Sequence, residues 1–343
     1  KAEVGGNIGT PVLDLQPLNA DGVYVLEMSS YQLDLTRSVT FDVAVLLNIS
    51  ADHLKRHGGM QGYIAAKKRI FRLHGNEPAA SPTAVVGVDD QISRAICEDL
   101  QANAYGRRLV IPVSGRGPVA SGVYADGGIL IDDRCGRALP IINLNGVKAL
   151  VGVHNQQNAA AAFAAASAAG AGETAAADAI RSFPGLAHRQ EVIAANDSVL
   201  YVNDSKATNS AAAARALAAY AAHGDIYWIA GGRLKEGGFD ELTPYLANVR
   251  HAFLIGEAAD VIADFLGDRV PFDISGDLAT AFAQASDMAS RAARGTAKGI
   301  ERPVVLLSPA CASFDQFKNF EARGDAFRNL VKSIGGRWRG IGR

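Results

Sequence analysis

The chain has 343 residues, enough for about two domains, of which 48% are hydrophobic and 20% charged. That is the balance of an ordinary soluble globular protein, and a net charge of −1 argues against a nucleic-acid footprint or a polybasic membrane patch. Cys97, Cys135 and Cys311 form no C-x-x-C pair, which argues against a disulfide framework or a zinc site and makes a reducing cytoplasm the default.

The chain opens on "KAEVGGNIGTPVLDL", without an initiator methionine or a signal peptide, and reads as though an upstream piece preceded it. Short β-branched runs follow at 23–28, 43–49 and 84–88, with helical patterns between them, notably 61–73 and 90–103. This alternation predicts a mostly parallel α/β sheet. Residues 108–145 differ: "VYADGGILID" carries an Asp-Gly-Gly turn, and a small antiparallel insert is expected there. Helices are expected at about 155–169 and 173–182. The alanine-rich run 159–172 reads as a closely packed helix, since alanine forms helices well and anchors poorly in membranes. "SFPGLAHRQE" (182–191), with Pro184 and Gly185, is the best domain boundary. A second alternation then begins, with strands at 199–203, 226–232, 251–256, 270–274 and 303–308 and helices around 209–222, 258–266, 277–294 and 321–334. That pattern predicts a second, doubly wound domain.

Several strand ends carry chemistry. "VLEMSSYQLD" puts Glu27 near the end of what reads as a buried strand, where a carboxylate is costly unless paired or metal-bound. "NISADHLKRHG" ends the next strand with Asp52 and His53. On residues alone these fit a Mg²⁺ site or two unrelated loop residues. Lys67 and Lys68 are adjacent on a helix and face different sides, as a solvated face would also have them. "GGNIG" (5–9) is a turn that could present backbone N–H groups to phosphate, although neither G-x-x-x-x-G-K-[ST] nor G-x-G-x-x-G occurs in the chain. Asn155 and Asn158 start a helix, where Asn155 also fits an N-cap. His188 and Arg189 sit at the boundary, and Arg189 has the reach and fork for a phosphate. "YVNDSKATN" (201–209) packs Asp204, Lys206 and Thr208 into one strand-to-helix turn, as a site at the carboxyl end of a parallel strand would. Lys235 follows another strand within "GGRLKEGGF" (231–239). "LSPACASFDQFKNFEARG" (307–324) brings Ser313 and what reads as a helix N-terminus able to take an anion. Phe314, Phe317 and Phe320 are spaced as one apolar helix face, which core packing also explains.

"GGNIG", "LEMSSYQLD", "NISADHLKRH", "AAKKRIF", "HNQQN", "AHRQE", "NDSKATN", "GGRLKEGGF" and "SPACASFDQFKNFEARG" occur in this order, and with them residues 1–335 closely resemble the Mur ligases of peptidoglycan synthesis. "SSYQL", "NDSKATN" and "SPACASFDQF" favour the branch that adds D-glutamate. The resemblance implies a partial central ATPase domain over 1–185, a Rossmann-like amino-acid-binding domain over 186–336 and a tail at 337–343. It also implies an absent UDP-binding domain and a P-loop shortly before Lys1, so that the 343 residues alone would be an inactive fragment with an unpaired sheet edge. The implied metal is Mg²⁺, on Glu27, His53 and a carbamylated Lys67. ATP would be held by Asn155, Asn158, His188, Arg189 and Asp204, the last on ribose. Asn7, Ser29, Lys206, Thr208, Lys235, Ser313, Phe314 and Phe320 would bind substrate, with Lys67, Glu27, His53, Arg189 and Lys206 serving catalysis.

The implied partners are UDP-N-acetylmuramoyl-L-alanine and D-glutamate, joined through an acyl phosphate in the cytoplasm by a monomer that binds neither nucleic acid nor membrane. Charge builds on the transferring phosphoryl group and on the oxyanion, so Mg²⁺ and Lys/Arg would stabilise both. Domain closure would bring Arg189 and Lys206 to the phosphates. Two other readings stand beside this one: a non-catalytic nucleotide- or amino-acid-binding module, and a folate-polyglutamylating ligase.

Overall fold

The computed structural model describes residues 1–73, 82–103, 108–147, 149–195, 199–235, 238–294 and 302–334. The expected tail at 337–343 lies outside them, as do residues 236 and 237 of "GGRLKEGGF". The chain divides into two compact units, one of residues 1–146 and 154–182, the other of 147–153 and the residues from 183 onward.

The first unit runs β1 (Ala2–Gly6), β2 (Val23–Glu27), α1 (Ser30–Leu35), β3 (Val43–Leu46), α2 (Leu54–His57), α3 (Met60–Lys68), β4 (Thr83–Gly87), α4 (Gln91–Asn103), β5 (Leu109–Ser114), β6 (Val123–Asp126), β7 (Ile129–Asp132), β8 (Leu139–Asn143), α5 (Val153–Ala168) and α6 (Glu173–Arg181). Strands β3 to β8 form one sheet in sequence order, parallel from β3 to β6 and antiparallel from β6 to β8. All five residues of β4 are buried, as a strand covered on both faces requires. The Asp-Gly-Gly turn makes the two-residue β6–β7 hairpin, with Gly127 and Gly128 both at positive φ. The expected antiparallel insert is therefore an extension of the parallel sheet, joined to it through β5 and β6.

Strands β1 and β2 stand apart as a parallel pair. Val4, Tyr24 and Val25 are 63%, 45% and 52% exposed, and Glu27 is exposed as well. This corrects the reading of β2 as a buried strand. Among the described residues its ladder partner is β1, and Glu27 is exposed and carries little burial cost.

The second unit runs β9 (Glu191–Ala195), β10 (Leu200–Asn203), α7 (Ser210–Tyr220), β11 (Ile226–Gly231), β12 (Val249–Ile255), α8 (Ala259–Leu266), β13 (Phe272–Gly276), α9 (Leu278–Ala293), β14 (Val304–Leu307) and α10 (Phe320–Ser333). Sheet order is β13-β12-β11-β14-β10-β9, parallel except for the edge strand β9. The core lies on both faces of the sheet: Ile226, Trp228 and Ala230 of the wholly buried β11 join one cluster and Tyr227 and Ile229 the other, and Trp228 donates from Nε1 to Ser308 O at 2.8 Å. Helix α9 buries Leu278, Ala281, Phe282, Ala285 and Ala289, a 3.6-period stripe, behind an Asp277 N-cap. The last strand, β14, lies between β10 and β11. The order reverses there, so the loops leaving the carboxyl ends of β10, β14 and β11 emerge side by side.

Three local expectations change. Helix α10 begins at Phe320 behind an Asn319 N-cap, so Ser313 does not sit at a helix N-terminus. Phe314 and Phe317 precede the helix and Phe314 is 61% exposed, so the three phenylalanines do not share one helix face. Helix α5 starts at Val153, which places Asn155 inside the first turn, past the N-cap position.

Candidate active site

In the first unit, Gly6 ends β1 opposite Glu27. Its φ of 116° and a would-be Cβ 2.3 Å from Glu27 O leave glycine as the residue that fits. The turn lets Asn7 N–H donate to Glu27 O at 2.8 Å, while the Asn7 amide donates to the carboxylate oxygens at 3.2 and 3.4 Å. The "GGNIG" turn thus aims one carboxylate. Ser29 caps α1 in a capping box with Gln32, so its hydroxyl is committed to the helix start.

His53 stands in the left-handed region at φ 52° just before α2. Its Nε2 lies 3.5 Å from Asp52 Oδ2, and its ring meets Tyr31 edge-on at 5.1 Å between centroids. The two lysines of α3 separate as their spacing predicts. Lys68 pairs with Asp99 at 2.8 Å, whereas Lys67 is half-buried with its Nζ 5.9 Å from the Tyr63 ring centroid. Burial pushes the Lys67 ammonium below its ordinary pKa, against the opposing pull of Glu27 and Asp52. Burial, with Asp52 adding to it, raises the Tyr63 phenol. Glu27 and Asp52 thus both act on Lys67, and Asp52 belongs to this cluster although its sequence signal was only its place beside His53.

Among the described residues, no three His, Cys, Asp or Glu side chains gather as a metal site. An aimed, exposed carboxylate and a lysine drawn toward its neutral amine fit a divalent-cation site only if the lysine supplies the missing oxygens. In the same unit, Asn158 Nδ2 donates to Asn155 Oδ1 at 3.1 Å on the first turns of α5.

In the second unit, His188 is 6% exposed at φ 62°. Asn203 Nδ2 lies 3.0 Å from His188 Nδ1 and also reaches Glu191 Oε2 and Gly324 O, each at 3.2 Å. An amide nitrogen only donates, so Nδ1 accepts and the ring proton sits on Nε2, which is 3.7 Å from Asp325 Oδ1. Glu191 is held in turn by two bonds from Arg328 Nη2, at 2.8 and 2.9 Å. Asp204 is 4% exposed. Its carboxylate accepts from Ser308 Oγ at 2.8 Å and Gln190 N–H at 3.1 Å, and burial raises its pKa to about 7 despite those bonds and the Arg189 charge. Asp204 is thus committed inside the fold, and a ribose contact would require Ser308 to release it. Arg189 is exposed beside it.

The loops after β10, β11 and β14 bring the remaining predicted residues together in part. Lys206 Nζ stands 4.2 Å from the centroid of the Phe320 ring, and Lys235 Nζ donates to Thr208 Oγ1 at 3.2 Å. Ser313 is buried, while Phe314 points to solvent. A groove of about 760 Å³, lined by Leu278, Gln316, Phe317 and Leu330 among others, contains none of the predicted site residues. Asn203, Ser308 and Arg323 are functional-site neighbours that sequence reasoning passed over. Arg323 had one legible signal: with Gly324, Phe327 and Val331 it falls on the buried stripe of α10.

Residues 5–166 match the Mur ligase middle domain, and residues 188–311 the Mur ligase glutamate ligase domain. A UDP-N-acetylmuramoylalanine--D-glutamate ligase of Caulobacter sp. is 49% identical over 97% of this chain and 67% of its own length. One of the same name from Rhodospirillum rubrum is 49% identical over 97% of the chain and 66% of its own length. The chain thus spans about two thirds of these relatives. Among solved structures, E. coli FolC in complex with DHPP and ADP superposes with a TM-score of 0.59 at 20% identity, over 92% of this chain and 67% of FolC. MurF from Acinetobacter baumannii gives 0.57 at 17%, over 91% and 65%. These two likenesses concern the fold. By domain content and by identity to its relatives, the chain belongs to the Mur ligase family.

Proposed function

We propose that this chain carries the ATP- and amino-acid-handling parts of a ligase that joins D-glutamate to UDP-N-acetylmuramoyl-L-alanine. The observation that carries the reading is 49% identity, along 97% of the chain, to ligases named for that reaction, and the Lys67 cluster supports it. In the first step a carboxylate oxygen of the nucleotide-sugar alanine takes the γ-phosphoryl group of ATP, and ADP leaves. The D-glutamate amine then attacks the acyl carbon and loses a proton. The tetrahedral intermediate collapses by breaking its C–O bond to phosphate.

Lys67 would contribute by giving up its ammonium proton, which burial makes easier. Nitrogen adds to the carbon of CO₂, a proton passes to water, and the side chain becomes an anionic carbamate. Glu27, His53 and that carbamate would hold Mg²⁺, which when bound neutralises charge on the phosphoryl oxygens. Asn7 keeps Glu27 aimed. Asn155, Asn158, His188 and Arg189 would hold ATP, with Arg189 placing its fork on phosphate. Lys206, Thr208, Lys235 and Ser313, with Phe320, would bind the carboxylates and stem of D-glutamate, and Asn7, Ser29 and Phe314 would complete the substrate contacts. The proposed enzyme would work as a monomer in the cytoplasm. No helix among the described residues is long and apolar enough to cross a membrane.

The test is phosphate release by the chain joined to the part of the Caulobacter relative that it does not span. Release should require ATP, UDP-N-acetylmuramoyl-L-alanine and D-glutamate together, and dihydropteroate should not replace the nucleotide sugar. Absence of D-glutamate-dependent release would refute the reading, and activity on the pteroate would move it to the folate ligases.

A further inference from the structure

Arg323 is 1% exposed, one of the largest fully buried side chains in the molecule. Its guanidinium makes five hydrogen bonds. Nε donates to Ser205 Oγ at 3.0 Å, Nη2 to Ser205 O at 2.9 Å and to Cys311 O at 3.1 Å, and Nη1 to Ala312 O at 3.4 Å and Gly231 O at 3.5 Å. Every partner is a neutral oxygen. Burial pushes the group down to about 10, against the opposing influence of Cys311 and Asp315. A buried cation is expensive, and a well-packed apolar side chain on this stripe of α10 would serve stability at least as well.

The five oxygens belong to three loops. Ser205 leaves β10 one residue before Lys206 and three before Thr208. Gly231 ends β11 four residues before Lys235. Cys311 and Ala312 lie just before Ser313, on the loop after β14. These are the three loops that the strand-order reversal sets side by side. Space is kept for the fork: a Cβ on Gly232 would stand 2.2 Å from Ala312 O and 3.1 Å from Arg323 Nη1. Ser205 Oγ donates onward to Phe320 O at 2.8 Å, tying the clamp to the start of α10 and to the ring under Lys206.

We infer that Arg323 is a positioning residue for the amino-acid pocket, a buried five-bond clamp that fixes the relative places of Lys206, Thr208, Lys235 and Ser313 without touching the substrate. The inference rests on the reading that those residues line the D-glutamate pocket. Lysine cannot replace it, because three donors on a point charge cannot serve five oxygens spread around a planar fork.

The joined protein described above is compared with its Arg323→Lys variant. The Michaelis constant for D-glutamate should rise at least tenfold, with those for ATP and the nucleotide sugar within about twofold and kcat falling less than the D-glutamate constant rises. In the 343-residue chain itself, amide hydrogen exchange should quicken in the loops around Ser205, Gly231 and Ala312 and stay unchanged in β12. Should Arg323→Lys not fold, Ser205→Ala, which removes the Nε acceptor and the bond onward to Phe320 O but leaves the other four bonds of the guanidinium, should give the same selective rise at smaller size. An unchanged D-glutamate constant, or equal loss toward all three substrates, would overturn the clamp. Absence of D-glutamate-dependent turnover in the unsubstituted protein would instead overturn the reading beneath it, while the exchange result would still report on the three loops.

Discussion

Around Lys67 the charged partners are exposed or half-buried, and they act on the lysine through space rather than through a closed set of bonds. Around Arg323 every N–H is taken, every partner is neutral, and water is excluded. The two clusters place a cation at the carboxyl side of a strand in opposite ways. The open one has spare bonding capacity, which suits groups that must meet a ligand and, at Lys67, a covalent change. The closed one has none left, which suits groups that hold other residues still. The hydrogen-bonding state of a charged side chain thus separates a candidate reacting group from a candidate scaffold group, where charge alone does not.

The strongest way to break that contrast is at Lys67. Arginine keeps the charge and removes the amine that can add CO₂. Lys67→Arg should lower turnover by about 10² to 10³, the scale of losing one group that stabilises developing charge, with the unfolding midpoint unchanged. Steady-state phosphate release beside a thermal melt checks both halves. A variant that melts early and keeps its turnover would make Lys67 a scaffold residue too.

The closed network predicts the reverse at Asn203, which is fully buried and serves His188, Glu191 and Gly324 at once. Asn203→Ala should cost about 1–3 kcal/mol in denaturant unfolding, because buried His188 and the Gly324 carbonyl lose their partner. A cost near zero would mean that the network relaxes.

Strands such as β4 and β11 were legible as short continuous apolar runs, every residue of which is buried, and helices such as α9 as 3.6-period stripes whose apolar positions are the buried ones. The candidate site was legible only as a set of strand ends. Sequence places Asp204 on a polar turn and cannot show that Ser308, 104 residues away, already occupies it. It gives Glu27 an apolar strand and cannot show that, among the described residues, β2 pairs with β1 and leaves Glu27 exposed. Arg323 reads as an ordinary helix charge until its place on the apolar stripe is counted. Each of these depends on long-range pairing, which local pattern does not encode.

Asp204 sharpens the comparison through pH. Its folded value is raised to about 7, against about 3.9 for an unfolded aspartate, because burial disfavours the anion. Between those values the folded state keeps a proton that the unfolded chain gives up. This group therefore lowers stability as pH rises from about 4 to about 7, by at most about 1.4 kcal/mol per pH unit, and adds nothing further above that. Asp132 and Asp277, whose pKa values are lowered, act in the opposite sense as pH falls through their range. Denaturant unfolding across pH 4–8 should therefore be read as the difference between the unsubstituted chain and Asp204→Asn. That difference should slope across the window and level off at its upper end; a flat difference would mean that Ser308 and Gln190 stabilise the anion enough to cancel its burial.

The smallest effect belongs to Arg233, one residue past the clamp's Gly232. Its guanidinium makes two bonds to Glu257, at 2.9 and 3.1 Å, and on paper this is a better ion pair than anything Arg323 makes. Both partners are more than half exposed, so solvent screens the attraction and ordering two long side chains offsets what remains. Arg233→Ala should leave the unfolding midpoint and the D-glutamate Michaelis constant unchanged. If it matched Arg323→Lys, loop position would depend on the exposed pair, and burial would no longer be what distinguishes the clamp.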